Sequence, residues 1–111
     1  MSVVDPYPSS IDLAWAAGLW DGEGSVGHYP ANHKGYLFAS LVQKDRGVLD
    51  RLQTILPFGK VRQRNAPAPF YWSVARRLDV MLLAWMLWPH LSEVKRGQFE
   101  RAITGSTWEN D

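Results

Sequence analysis

The sequence of 111 residues contains no cysteine. That excludes a disulfide scaffold, a zinc-thiolate centre and a cysteine nucleophile. Long apolar runs are also missing: the longest, Val80 to Pro89, is about ten residues, half of what a bilayer crossing needs. Nor is there an excess of charge of one sign. Lys and Arg number 12, Asp and Glu 11, for a net charge of +1. Affinity for nucleic acid must then come from where the charges sit, not from their sum. The first ten residues lack the basic-then-apolar pattern of a secretory signal, so an intracellular protein with no membrane partner is expected. At roughly 100–200 residues per domain, one domain over 1–111 is expected, with tails at 1–9 and 104–111. Apolar residues make up 46% and charged residues 21%, an ordinary globular balance. What is plentiful is tryptophan, and its 6 indoles need a core or an interface.

Turn residues cut the chain into pieces of helix or strand length. Ser9 or Ser10 caps a helix that begins at Ile11, carries Asp12 in its first turn, and stops at Gly22 and Gly24. Ser25 to Tyr29 and Tyr36 to Gln43 read as two strands. Asp45 caps a second helix, in which Val48, Leu49, Leu52, Ile55 and Leu56 recur at helical spacing before Pro57. Lys60 to Arg64 and Phe70 to Ala75 form another strand pair. Leu78 to Trp88 reads as a largely buried third helix, and Ser92 caps a fourth carrying Val94, Phe99 and Ile103. The expected class is α+β in the order αββαββα(α). Two hairpins join in one four-stranded antiparallel saddle with helices on one face.

The most informative stretch is Ala16-Ala-Gly-Leu-Trp-Asp-Gly-Glu-Gly24. Ala14, Ala17, Gly18 and Asp21 lie three or four apart on one side of the helix, and small residues there admit another backbone at close range. Gly18 costs about 1 kcal/mol of helix stability relative to Ala, which close helix contact would offset. Asp21 and Glu23, flanked by Gly22 and Gly24, stand where the helix dipole is already negative. Two readings stay open on the residues alone. One is a hard-cation site of carboxylate and carbonyl oxygens; the other is a glycine-rich helix end with surface acids.

This stretch, continued by Gly24-Ser25, resembles the signature of the LAGLIDADG homing endonucleases. Gln43-Lys44, Val48 to Leu52, Gly59-Lys-Val-Arg-Gln-Arg64, Pro89-His-Leu and Lys95 to Gln98 line up with later parts of that family, so the likeness runs from about Ile11 to Ile103. Trp20 departs from it, standing where the family has an aliphatic residue. One copy of the signature implies a homodimer whose first helices pack through Ala14, Ala17 and Gly18, with Asp21 bracing that junction. The resemblance implies Glu23 as catalytic metal ligand, with the Gly22 carbonyl beside it. It makes Gln43 and Lys95 peripheral catalytic residues: Gln43 orients solvent, and Lys95 offsets charge on phosphate or assists proton transfer. The implied cofactor is Mg²⁺, with Mn²⁺ or Ca²⁺ substituting for binding, and no small-molecule cofactor. The implied activity is site-specific cutting of double-stranded DNA at a near-palindrome, leaving 3′ overhangs. A non-cleaving relative, acting as RNA-splicing maturase or DNA-binding regulator, is the alternative, and a small dimeric interaction domain is a third.

Strand alternation sorts the sheet's side chains. Leu37, Ala39, Leu41, Val26, Val61, Trp72 and Val74 are expected to face the helices. Ser25, Gly27, Tyr29, Tyr36, Phe38 and Ser40 then face outward, as do Lys60, Arg62, Arg64, Tyr71 and Ser73. If that face lies along the major groove, Arg62 or Arg64 suits guanine, with Ser40 and Ser73 as adaptable partners. Lys34, Lys44, Arg46, Arg76 and Arg77 suit phosphate contacts, which set register without reading sequence. A solvated sheet face is the competing account.

Overall fold

The computed structural model describes residues 7–28 and 36–106. Helix α1, Ser10–Glu23, starts at Ser9, whose hydroxyl accepts the Asp12 N–H. It runs without a loop into strand β1, Gly24–His28. Gly24 is extended, and its lack of a side chain is steric: a Cβ there would fall inside the Trp20 ring. Strand β2, Leu37–Gln43, leads to helix α2, Arg46–Ile55, where the Asp45 carboxylate accepts the Gly47 N–H at 2.8 Å. Gly59, at φ +86°, turns the chain into strand β3, Lys60–Gln63. Strand β4 is Phe70–Val74, helix α3 is Arg77–Leu87, and a short 3-10 turn covers Trp88–His90. Helix α4, Glu93–Gly105, starts at the Ser92 cap. It extends into what the sequence assigns to a C-terminal tail.

The strands form one antiparallel sheet in the order β1-β2-β4-β3. Ala39 pairs with Val26 and Val74, and Leu41 with Gly24 and Trp72. Leu37, Ala39, Leu41, Trp72 and Val74 are all buried against the helices, as alternation predicts. Helix α2 adds Leu49, Leu52 and Ile55, and α4 adds Phe99 and Ala102. At the centre Trp20 meets Trp72 edge-on at 5.9 Å and stacks on Phe99 at 5.9 Å. Such aromatic pairs add about 0.5–1.5 kcal/mol beyond area burial. The indole N–H groups of Trp20 and Trp72 find no partner among the described residues, a cost that the burial of both rings must exceed.

Three apolar expectations need correction. Helix α3 is not buried all round: Leu78, Leu82 and Trp85 face outward, Trp85 with 73% of its surface exposed. Val94, in the first turn of α4, is exposed too; from this helix Phe99, Ala102 and Ile103 reach the core. Val48 is only half-buried, while Leu49, Leu52 and Ile55 hold α2 to the sheet.

Candidate nucleic-acid interface and its acidic corner

Glu23 is the last residue of α1, and its side chain is exposed. It has no ion-pair partner among the described residues. Asp21 is held differently. Its carboxylate accepts the Ser92 N–H at 3.0 and 3.2 Å, so it clips the end of α1 to the start of α4. The same serine's hydroxyl accepts the Lys95 N–H at 3.3 Å. Lys95 then reaches back: its ammonium donates to the Gly24 carbonyl at 2.7 Å and to Gln98 at 3.5 Å. A cation is thereby fixed one residue beyond Glu23, at a helix end whose dipole is negative. Gln43 closes β2 two residues beyond Leu41, the partner of Gly24, and pairs with Phe70 of β4. The end of α1 and the start of α4 thus meet where Lys95 bonds Gly24.

Carboxylate and backbone carbonyl oxygens are hard donors, the chemistry that Mg²⁺ or Ca²⁺ takes. A Cβ at Gly22 would meet nothing within 4 Å, so the space beside its Cα is open. No group of three or more His, Asp or Glu among the described residues is placed to hold a metal ion. From this chain, the Glu23 carboxylate and the Gly22 carbonyl are the oxygen donors that would face one.

The residues expected at a dimer seam fall into two groups. Ala14 and Gly18 are exposed, and Gly18 has open space where a side chain would stand. Ala17 is fully buried in the chain's own core and Asp21 is committed to α4, so neither presents itself on the outer stripe. Ile11 and Gly22 are exposed there in their place.

The outward sheet face carries what alternation assigns to it. Ser25, Ser40, Ser73 and Lys60 form one row across all four strands. Val42, Tyr71 and Arg62 form the next. Phe38 lies against Gly27, and the Arg64 guanidinium stands 5.5 Å over the Tyr71 ring. A concavity of about 500 Å³ opens here, lined by Phe38, Ser40, Val42, Arg62, Arg64, Tyr71 and Ser73, among others. Tyr36 borders β2 and is half-buried. Lys44 and Arg76 are exposed, as is Arg46, which pairs with Asp50 at 3.4 Å. Tyr29 and Lys34 lie outside the described residues.

Arg77 corrects the list of phosphate contacts. It is 3% exposed, and its guanidinium bonds the Ser106 hydroxyl and the Ile103 carbonyl at 3.2 Å. It ties the end of α4 to the start of α3 and has no surface to offer a backbone. Two residues escaped the sequence reading. Ser92 appears there only as a cap, and Val42 is absent although it shares parity with Phe38 and Ser40.

No protein-family model matches the sequence, and no curated protein does. Solved structures do. The homing endonuclease I-CvuI, in complex with the I-CreI target with Mg and uncleaved DNA, superposes with a TM-score of 0.73 at 23% identity, over 85% of this chain and 64% of that one. The LAGLIDADG meganuclease I-AabMI bound to uncleaved DNA gives 0.72 at 23% identity, over 83% of this chain and 35% of that one. The archaeal intron-encoded homing endonuclease I-Vdi141I, complexed with DNA, gives 0.69 at 20% identity, over 83% and 64%. The chain thus spans less than two-thirds of each of these proteins. Element order, sheet order and these superpositions agree: the chain has the LAGLIDADG homing endonuclease fold.

Proposed function

We propose that the protein is a divalent-metal-dependent, site-specific double-strand DNA endonuclease of the homing type, acting inside the cell as a homodimer. The observation that carries this reading is a conjunction. The same fold carries an exposed Glu23, a Lys95 ammonium anchored on Gly24, and a concave, arginine-bearing sheet face. The sheet face binds the major groove. The outer stripe of α1 packs against its copy, so two Glu23 carboxylates meet near the centre of a near-palindromic target. A divalent ion bound there supplies charge neutralisation at the phosphate and an acidified water. Lys95 adds positive charge where the phosphate gains negative charge, and Gln43 orients solvent at the strand end. Cutting both strands from symmetry-related sites leaves staggered ends, with the 3′ overhangs that the family resemblance implies.

Selection of cleaved sites from a randomised duplex library, with Mg²⁺ and with chelator, tests this. Cutting at one family of related sites, only with Mg²⁺, is expected. Glu23→Gln should keep the fold and target binding and abolish cutting, because it removes a ligand charge while nearly keeping shape. Substantial cleavage by that variant would refute the metal assignment. A wild-type protein that binds duplexes without ever cutting them would refute the nuclease and leave a binding protein.

A further inference from the structure

Among the described residues, the exposed large apolar side chains are Tyr7, Ile11, Val42, Leu78, Leu82, Trp85 and Val94. All but Val42 lie on helices or beside the N-terminal cap of one; Val42 alone belongs to the sheet, where 50% of its surface is open. Its surroundings are specific. Across the ladder it pairs with Tyr71, which pairs in turn with Arg62. The Arg64 guanidinium stands over the same tyrosine ring. Val42 and Tyr71 thus make an apolar spot flanked on its β3 side by two guanidinium groups, in the wall of the concavity that also holds Ser40 and Ser73. A groove that met only phosphate would have no use for that spot. The major-groove edges of the bases do, because thymine alone among the four presents a methyl group there.

We infer that Val42 is a specificity-determining residue that reads the 5-methyl group of a thymine in the major groove. The inference rests on the DNA-binding reading above. It adds a position to that reading. The register that sets Gly24 opposite Leu41 brings Val42 alongside the end of α1, so the thymine read lies close to the cut in each half of the target. Arg62, two strands away, reads a different base.

The experiment uses the full chain and its selected duplex, with Ca²⁺ present and binding followed by fluorescence anisotropy. Each thymine is replaced in turn by deoxyuridine, which lacks only the methyl, in both halves together. One symmetric position near the centre should weaken binding by about fourfold per half-site, the worth of one buried methyl at about 0.8 kcal/mol. Val42→Asn, whose polar amide replaces both methyls, should bind with that penalty gone at that position and unchanged elsewhere. Val42→Thr, which keeps the branched strand geometry and one methyl, should retain only part of it. The assignment is overturned if no position responds to deoxyuridine, or if the penalty survives in Val42→Asn. It is also overturned if 5-methylcytosine strengthens binding at that position where thymine does not. A wild-type chain that binds no duplex would sink the DNA reading itself, a result distinct from binding without methyl sensitivity.

Discussion

Gly18 offers a test in which two levels of structure demand opposite things. It lies in the middle of α1, exposed, and a Cβ added there would meet nothing within 4 Å. Inside the single chain nothing requires glycine, and Gly18→Ala should stabilise the helix by about 0.8–1 kcal/mol. For a domain of this size that raises the melting temperature by about 4 °C. Between chains the sign reverses. Helix axes pack about 8–10 Å apart, and the shortest separations need the smallest side chains at the crossing. A methyl from each partner at the dyad overpacks it by about 1–3 kcal/mol, weakening dimerisation about 5- to 150-fold. Sedimentation equilibrium measures the association constant, and thermal melts at a dilution where the chain is monomeric measure the other half. The expected result is a monomer that melts higher and a dimer that dissociates more readily. Gly18→Leu should give no measurable dimer. An unchanged association constant in both variants would remove α1 from the interface. If Trp85→Ser instead disrupts the dimer, the apolar stripe on α3 is the seam and the proposed geometry is wrong.

The remaining substitutions separate structural from DNA-contacting roles. Arg77→Ala should lower unfolding free energy by about 1–3 kcal/mol in a urea titration, by stripping donors from the end of α4. The protein that stays folded should keep its duplex affinity and salt dependence; a salt slope reduced by about one would restore Arg77 as a phosphate contact. Asp21→Ala should cost about 1 kcal/mol, the worth of a capping acceptor, in the same titration. An unchanged midpoint would mean that the Ser92 N–H finds water at no cost. Arg62→Ala should relax selection at one symmetric pair of base positions by about 1–3 kcal/mol, whereas a uniform loss over all sequences would make it a backbone contact.

What the sequence discloses here is what physics keeps local. Strand alternation needs only neighbours, so the inward set Leu37, Ala39, Leu41, Trp72 and Val74 is legible. Caps need only the next three residues, and Ser9, Asp45 and Ser92 are all found where expected. Errors begin where a face is shared. At about 100° per residue, Ala17 lies about 60° from Ala14 but only about 40° from buried Leu13, so spacing by threes and fours puts it on either side. Arg77 is set by a segment 26 residues later, which no local pattern announces. A weak warning existed, since the first turn of a helix is a poor place for a buried cation.

The two acids of α1 give the sharpest case. Asp21 and Glu23 are chemically alike and about 200° apart around the helix, so their roles cannot be told apart from composition or spacing. Only the docking of α4 separates them. Asp21 takes the N–H of Ser92 and fixes where α4 begins. Because Lys95 is the third residue of that helix, the same contact sets where its ammonium falls, which is on the Gly24 carbonyl. Glu23, on the other side of the rod, is left exposed. The acid that looks redundant in the sequence is therefore the one that positions the lysine. Removing it should disturb the corner through the placement of α4, while Glu23 itself contributes little to the fold.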